Sequence, residues 1–307
     1  MADKYRLVTR SDFDGLVCGA LLNSLNMIDD VKFVHPKDMQ DGKVEITSRD
    51  ITTNLPYVEG VHIAFDHHTS ELERVGTSKN YITDPDAASC AGVVYEYFGE
   101  DKFPSIDEDM MFAVDKVDSG NFSQFDVLHP DGWVLLSFIM DARTGLGRFR
   151  EFGISNYDLM MMLMKKCVEI PLSEILELPD VTERIKLFFE HEEKFKEQIQ
   201  KCTKVHDNLI ILDLRNEETI WAGNRFMIYA LFPDQNISIH AMWGRDKQIT
   251  VFAIGKSIVN LSSNVNVGEL CLKYGGGGHE AAGTCQVDND KSEQVLKELI
   301  QQINADS

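Results

Sequence analysis

The sequence predicts an α/β protein, with an N-terminal domain on a mostly parallel sheet and a smaller C-terminal α/β domain. Three observations carry this. Strand-like runs alternate with helical patterns over the first half of the chain, a long charged helix interrupts them, and a strand-rich texture follows. At 307 residues the chain can bury a substantial core, and its length favours two domains.

Tyr5 to Arg10 reads as a strand, and Leu16 to Met27 as an amphipathic helix behind Gly15. Val31–His35, Val44–Ile46 and Val61–Phe65 read as further strands. Helical patterns follow at Ala87–Phe98, Asp107–Asp115, Trp133–Asp141 and Tyr157–Val168. The charged helix, Val181 to Cys202, has the wide polar face expected of a helix joining two domains. Beyond it, strands are predicted at Leu209–Leu214, Phe226–Leu231, Ile237–Trp243 and Ile249–Ile254, with helices at Gly268–Tyr274 and Ser292–Ile303. The expected division is 1–178, a linker helix over 179–203, and 204–307.

Composition bounds the function. Apolar residues make up 43% and charged residues 26%, as in an ordinary globular protein, and no apolar run approaches the roughly eighteen residues of a membrane span. The start of the chain lacks a hydrophobic signal segment, so a cytoplasmic protein is expected. Six scattered cysteines include no CxxC pair, which argues against cysteine fingers and a disulfide framework. A net charge of −20 repels polyanions, so duplex DNA is not expected as a partner, while a small phosphorylated substrate in a local pocket remains compatible.

Two clusters carry chemistry. Ser11-Asp12-Phe13-Asp14-Gly15 follows the first strand, and Asp66-His67-His68 follows the strand at Val61–Phe65. These are the strand ends at which α/β sheets place ligands. Asp12 and Asp14 alternate on an extended segment and can face one site. Asp115-Lys116-Val117-Asp118-Ser119-Gly120 closes a helix, and Asp50 is a candidate fourth contributor. Clustered carboxylates with one or two imidazoles suit Mn²⁺ or Mg²⁺ better than structural zinc, and two ions would relieve their repulsion. A lone Asp-x-Asp-Gly is more often a turn or helix cap; three such motifs at element ends favour a metal site.

Tyr274-Gly275-Gly276-Gly277-Gly278-His279-Glu280-Ala281-Ala282-Gly283 forms the second cluster. Consecutive glycines cost backbone entropy, and their exposed N–H groups can make a nest for phosphate, with His279 as a side-chain donor. The competing reading is a flexible loop tip. No Gly-Lys-Ser/Thr follows, so this is not a Walker loop.

With these residues in place, the sequence resembles the DHH phosphoesterases, a family named for the triplet seen here as Asp66-His67-His68. SDFDG is similar to the family's first motif, FDHH to its third and VDSGNF to its fourth; GGGGHEAAG matches the glycine-rich motif of the DHH-associated C-terminal domain. The nearest likeness is to exopolyphosphatase-related bacterial proteins, with oligoribonuclease-like and cyclic-dinucleotide phosphodiesterase relatives. The resemblance implies an active-site cleft between the two domains, and two Mn²⁺ ions, or Mg²⁺, on the first. It implies metal ligands at Asp12, Asp14, Asp66, His67 and Asp118, with Asp50 the natural second-motif aspartate and Asn54 close by. His67, His68 and Asp66 would be catalytic, and Gly276, Gly277, Gly278 and His279 would contact substrate phosphate. The family's histidine before the first carboxylates is missing here: Arg10 or Val8 falls in that region. Arg10 is a candidate phosphate ligand or a salt-bridge partner of a nearby carboxylate.

The expected function is hydrolysis of a phosphodiester or phosphomonoester in a short oligonucleotide or nucleoside bisphosphate. The alternatives are exopolyphosphatase activity and a non-catalytic nucleotide-binding protein. Oligomeric state, monomer or homodimer, is open. Serine-hydrolase and zinc-protease readings fail for want of GxSxG and of a second histidine after His191-Glu192-Glu193.

Overall fold

The computed structural model describes residues 4–305. They form two compact units, one running to Asn121 and from Pro130 to Leu187, the other comprising Phe122–His129 and the chain from Phe188 onward. The assignment of Phe122–His129 to the second unit has no signal in the sequence.

The first unit is built on a parallel sheet of β1 (Tyr5–Thr9), β2 (Ile28–Phe33), β3 (Asp50–Thr53), β4 (Ile63–Asp66) and β5 (Tyr81–Thr83). The strand order is β2-β1-β3-β4-β5. Leu7, Val8, Ile51, Ala64 and Phe65 are buried, as expected for strands covered on both faces. The helix Phe13–Ser24 is buried from Phe13 to Leu22. It packs against the helix Asn156–Glu169, where a Cβ at Gly19 would meet Met164 Sδ at 2.5 Å.

One strand differs from expectation. Val44–Ile46 has no strand conformation, and the strand is Asp50–Thr53 instead. Val44 packs with Val8, Met39 and Leu55, and Ile46 lies against them, so these apolar residues plug the core from a loop. The true strand reads Asp-Ile-Thr-Thr and is buried throughout, a polar segment that hydrophobic patterning passes over.

The second unit carries a mixed sheet of β6 (Thr203–His206), β7 (Leu209–Asp213), β8 (Ile237–Trp243), β9 (Ile249–Lys256), β10 (Gly277–His279) and β11 (Ala282–Asp288). Its order is β10-β11-β9-β8-β7-β6, with only the β7–β8 pair parallel. Alternation sorts the side chains. Leu209, Ile211, Ile237, Ile239, Phe252 and Ile254 join a core with Leu299 and Ile303 of the helix Ser292–Ala305. Ile210 and Leu212 face the other way, onto Ile199, Met227 and Ile228. Phe226–Leu231, expected as a strand, is the short helix Met227–Leu231. A brief apolar run buried all round fits either element, and here it packs as a helix. The charged helix spans Pro179–Cys202. No helix among the described residues is long and apolar enough to cross a membrane.

Candidate active site

The site in the first unit grows from strand ends. After β1 the chain enters the helix Phe13–Ser24 through its N-cap Asp12, whose Oδ1 accepts from the Gly15 N–H at 3.0 Å. Gly15 is required by close approach, since a Cβ there would collide with the Arg10 carbonyl oxygen and meet Thr9 Oγ1 at 2.8 Å. Asp12 Oδ2 lies 3.1 Å from Arg10 Nε, so Arg10 is engaged with a carboxylate in this structure. Asp14, buried in the first helical turn, meets the N-terminus of the helix Cys90–Phe98. The Ala91 N–H donates to its Oδ1 at 2.7 Å and the Cys90 N–H to its Oδ2 at 3.2 Å.

β4 delivers the histidines. His67 Nδ1 lies 3.2 Å from the Ala87 carbonyl oxygen. A carbonyl only accepts, so Nδ1 carries the proton and neutral His67 offers a lone pair at Nε2. That nitrogen lies 3.0 Å from Asp118 Oδ2 without the alignment of a hydrogen bond. One ligand atom each from Asp14, His67 and Asp118 falls within 4.8 Å of the other two. His68 Nδ1 lies 2.7 Å from Asp66 Oδ1, and the Tyr81 hydroxyl donates to Asp66 Oδ2 at 3.2 Å.

The electrostatics match this crowding. Burial, then Asp118 and Asp12, pushes the Asp14 carboxyl well above the usual carboxylate range. Burial also raises Asp12, against the pull of Arg10. Burial lowers His67, but Asp118 and Asp14 outweigh it and lift the imidazole to about 9, so at neutral pH the cation-free site keeps a proton on Nε2, which a bound cation would displace to free the lone pair. Two carboxylates and an imidazole lone pair turned on a common point are the donor set of a divalent cation, which would supply the positive charge they lack. The residues therefore fit the Mn²⁺ or Mg²⁺ expected from the sequence.

Three expected residues stand elsewhere. Asp50 begins β3, at the strand's other end, where Arg6 Nε donates to its Oδ1 at 2.7 Å and the Thr47 N–H to its Oδ2 at 2.6 Å. The correction follows from the shifted strand: Asn54 occupies the carboxyl end of β3, with φ 55°, a left-handed conformation that asparagine tolerates. Asn54 Nδ2 donates to Asp12 Oδ1 at 3.4 Å, and its buried Oδ1 has no partner among the described residues. Asp66 is buried and held by His68 and Tyr81 rather than within the Asp14–His67–Asp118 set. Asp115 accepts from Ser89 Oγ at 2.6 Å, and Ser89 caps the helix that anchors Asp14.

In the second unit the glycines form a strand rather than an open nest. Gly277, Gly278 and His279 pair antiparallel with Thr284, Gly283 and Ala282. A Cβ on Gly276 would strike the Thr284 carbonyl oxygen, and one on Gly278 the Ala282 carbonyl oxygen, whereas one on Gly277 would meet nothing within 4 Å. His279 is exposed, its Nδ1 accepting from the Ala281 N–H at 3.4 Å.

Sequence reading missed the Cys90 and Ala91 N–H groups, the Ala87 carbonyl and the Tyr81 hydroxyl. Backbone groups leave no residue-type signal, and tyrosine is ordinary in a strand. It also missed Arg143, whose Nε and Nη2 reach Asp141 at 2.8 and 2.7 Å and whose charge is felt by Asp12.

A parallel sheet with aspartates and histidines at the carboxyl ends of β1 and β4 defines the class, an α/β protein with a carboxylate-rich centre. No family model and no curated protein matches the chain. Among solved structures, the pGpG-specific phosphodiesterase PggH from Vibrio cholerae is 59% identical, covers 99% of this chain and 100% of its own, and superposes with a TM-score of 0.88. RecJ from Thermus thermophilus in complex with Mn²⁺ is 13% identical over 99% of this chain and 52% of its own, at a TM-score of 0.52. CDC45 from Entamoeba histolytica is 9% identical over 98% and 95%, at 0.54, and these two likenesses show the fold. The chain belongs to the DHH phosphoesterase family, and it is a hydrolase of that family.

Proposed function

We propose that this protein is a divalent-metal-dependent phosphodiesterase that hydrolyses a short 5′-phosphorylated dinucleotide of the pGpG kind. The observation that carries the reading is the 59% identity, over the full length of both chains, with a pGpG-specific phosphodiesterase. The arrangement of Asp14, His67 and Asp118 supports the metal.

In this reading Asp14, His67 and Asp118 hold the cation, with Asp12 beside them and Asn54 Oδ1 as a neutral donor where the family has an aspartate. The bound ion supplies charge to the phosphoryl oxygens and lowers the pKa of water from about 15.7 towards about 7. The Ala87 carbonyl fixes the His67 tautomer and the helix N-terminus at Cys90 and Ala91 fixes Asp14, so neither ligand need reorganise. Asp66 orients His68 through Nδ1, leaving His68 Nε2 for proton exchange with substrate. Gly276, Gly277, Gly278 and His279 contact a substrate phosphate, and Arg10 turns from Asp12 to the substrate once a cation neutralises that carboxylate.

The test is product analysis with Mn²⁺ on pGpG, a long single-stranded oligonucleotide and inorganic polyphosphate. The expected result is GMP from pGpG, loss of activity with chelator, and far slower turnover of the longer polymers. Faster turnover of polyphosphate or of the long strand would replace this reading with an exopolyphosphatase or exonuclease one.

A further inference from the structure

Strand pairing in the second unit brings a histidine outside the glycine segment onto the same surface as that segment. In an antiparallel ladder, residues directly opposite each other project to one face. Gly277 on β10 lies opposite Thr284 on β11, Thr284 opposite Ala253 on β9, and Ala253 opposite His240 on β8. These four form one row across the sheet, on the face turned away from Phe252, Ile254 and Cys285. Gly277 and Thr284 are exposed, and Ala253 and His240 are half-buried. Small side chains thus make a shallow floor that ends at an imidazole.

The positions flanking His240 on this face are taken. The Tyr229 hydroxyl lies 2.8 Å from Ser238 Oγ and donates to the Gly255 carbonyl oxygen at 2.9 Å, and Met242 packs against the core of Ile210 and Leu212. His240 itself has no hydrogen-bond partner among the described residues. Polar groups drawn into a folded protein are as a rule bonded, so this ring is free to meet a ligand. Burial alone lowers it to about 4, which leaves it neutral at physiological pH with one N–H donor and one lone pair.

The row spans three strand spacings, about 14 Å at about 4.8 Å each. One phosphate cannot cover that length, so a molecule touching both Gly277 and His240 is an extended one. A neutral ring offers a phosphate no charge. A nucleoside, with donors and acceptors on its base edge and ribose, matches a group that both donates and accepts.

We propose that His240 is a substrate-recognition residue that hydrogen-bonds a nucleoside of the short nucleotide substrate, at the far end of the row from the phosphate-contacting glycines. This assignment rests on the short-nucleotide reading above and deepens it. Inorganic polyphosphate carries no nucleoside and gains nothing from His240.

The experiment compares wild type, His240→Phe and His240→Gln in Mn²⁺, measuring KM and kcat on pGpG and competitive inhibition by GMP and by inorganic phosphate. His240→Phe keeps a ring in the same space without its nitrogens, so a packing role predicts no kinetic effect. It should raise KM for pGpG and the inhibition constant of GMP about tenfold, the effect of one unmade hydrogen bond. Its kcat and its inhibition by phosphate should stay within about twofold of wild type. His240→Gln, which keeps a donor and an acceptor, should recover most of the loss. A wild type that does not hydrolyse pGpG refutes the functional reading and this assignment with it. An active wild type with an unchanged KM in His240→Phe, or with GMP and phosphate inhibition weakened equally, refutes the role of His240 alone. Should His240→Phe fail to fold, His240→Ala read against His240→Gln decides.

Discussion

Asp66 is the carboxylate whose surroundings say most about its task. It is fully buried, and both its oxygens are taken, one by His68 and one by the Tyr81 hydroxyl. Asn at this position keeps an oxygen for one partner, so the fold should survive while the charge that orients His68 disappears. Asp66→Asn should lower kcat/KM at least a hundredfold with an unchanged circular dichroism spectrum. A loss within about tenfold, worth about 1.4 kcal/mol, would remove Asp66 from the catalytic machinery. Asp50 should behave in the opposite way. Burial raises its pKa, but Arg6 and the Thr47 donors outweigh this and hold it below the usual carboxylate range. A depressed pKa contributes stability that is present above the unfolded value, about 3.9, and is lost as pH falls through the lower folded value. Asp50→Asn should therefore cost about 1–3 kcal/mol at neutral pH, flatten the acid limb of a pH–stability curve and leave bound metal unchanged. Loss of metal in this variant would return Asp50 to the ligand set. The two aspartates differ in legibility for a local reason. Asp66 follows an apolar strand that patterning finds, whereas Asp50 opens a polar one, so its end of the sheet was misjudged and Asn54 was left in second place.

At the scale of the element, the glycine segment allows packing and contact to be separated. Gly276 has no room for a side chain, and Gly277 faces open space with an ordinary backbone. Gly276→Ala should lower Tm by several degrees. Gly277→Ala should leave Tm within about a degree yet reduce kcat/KM if substrate approaches that face. His279→Ala removes a hydrogen bond to a charged group, worth roughly 1.5–3 kcal/mol, and should cost about ten- to a hundred-fold in kcat/KM with metal content unchanged. Wild-type kinetics in both Gly277→Ala and His279→Ala would take β10 out of substrate binding. The segment announced itself by composition, but its strand pairing did not, because glycine is depleted in strands. Val44–Ile46 and Phe226–Leu231 failed for the converse reason: both are apolar enough for a strand, and tertiary packing spent them otherwise.

For the whole molecule, the carboxylate excess predicts a metal-dependent stability. A cation bound only by the folded state adds about 2.7 kcal/mol at a hundredfold excess over its Kd. Mn²⁺ should raise Tm by several degrees over chelated protein, and Asp14→Asn should abolish that shift; an equal shift in the variant would place the ion elsewhere. The α/β class and the parallel first sheet were legible because alternating strands and helices require them. The order β2-β1-β3-β4-β5 was not, since it depends on which neighbours the crossovers reach.

The contact between Gly19 and Met164 bears on how the chain is made. The groove on the first helix is cut to fit a side chain from the Asn156–Glu169 helix, which the ribosome delivers long after Asp12, Asp14 and His67 have emerged. At about 5–20 residues per second the interval is on the order of ten seconds. During it the nascent first unit lacks one wall of its core, and the face of the first helix around Gly19 has no partner until the Asn156–Glu169 helix is made.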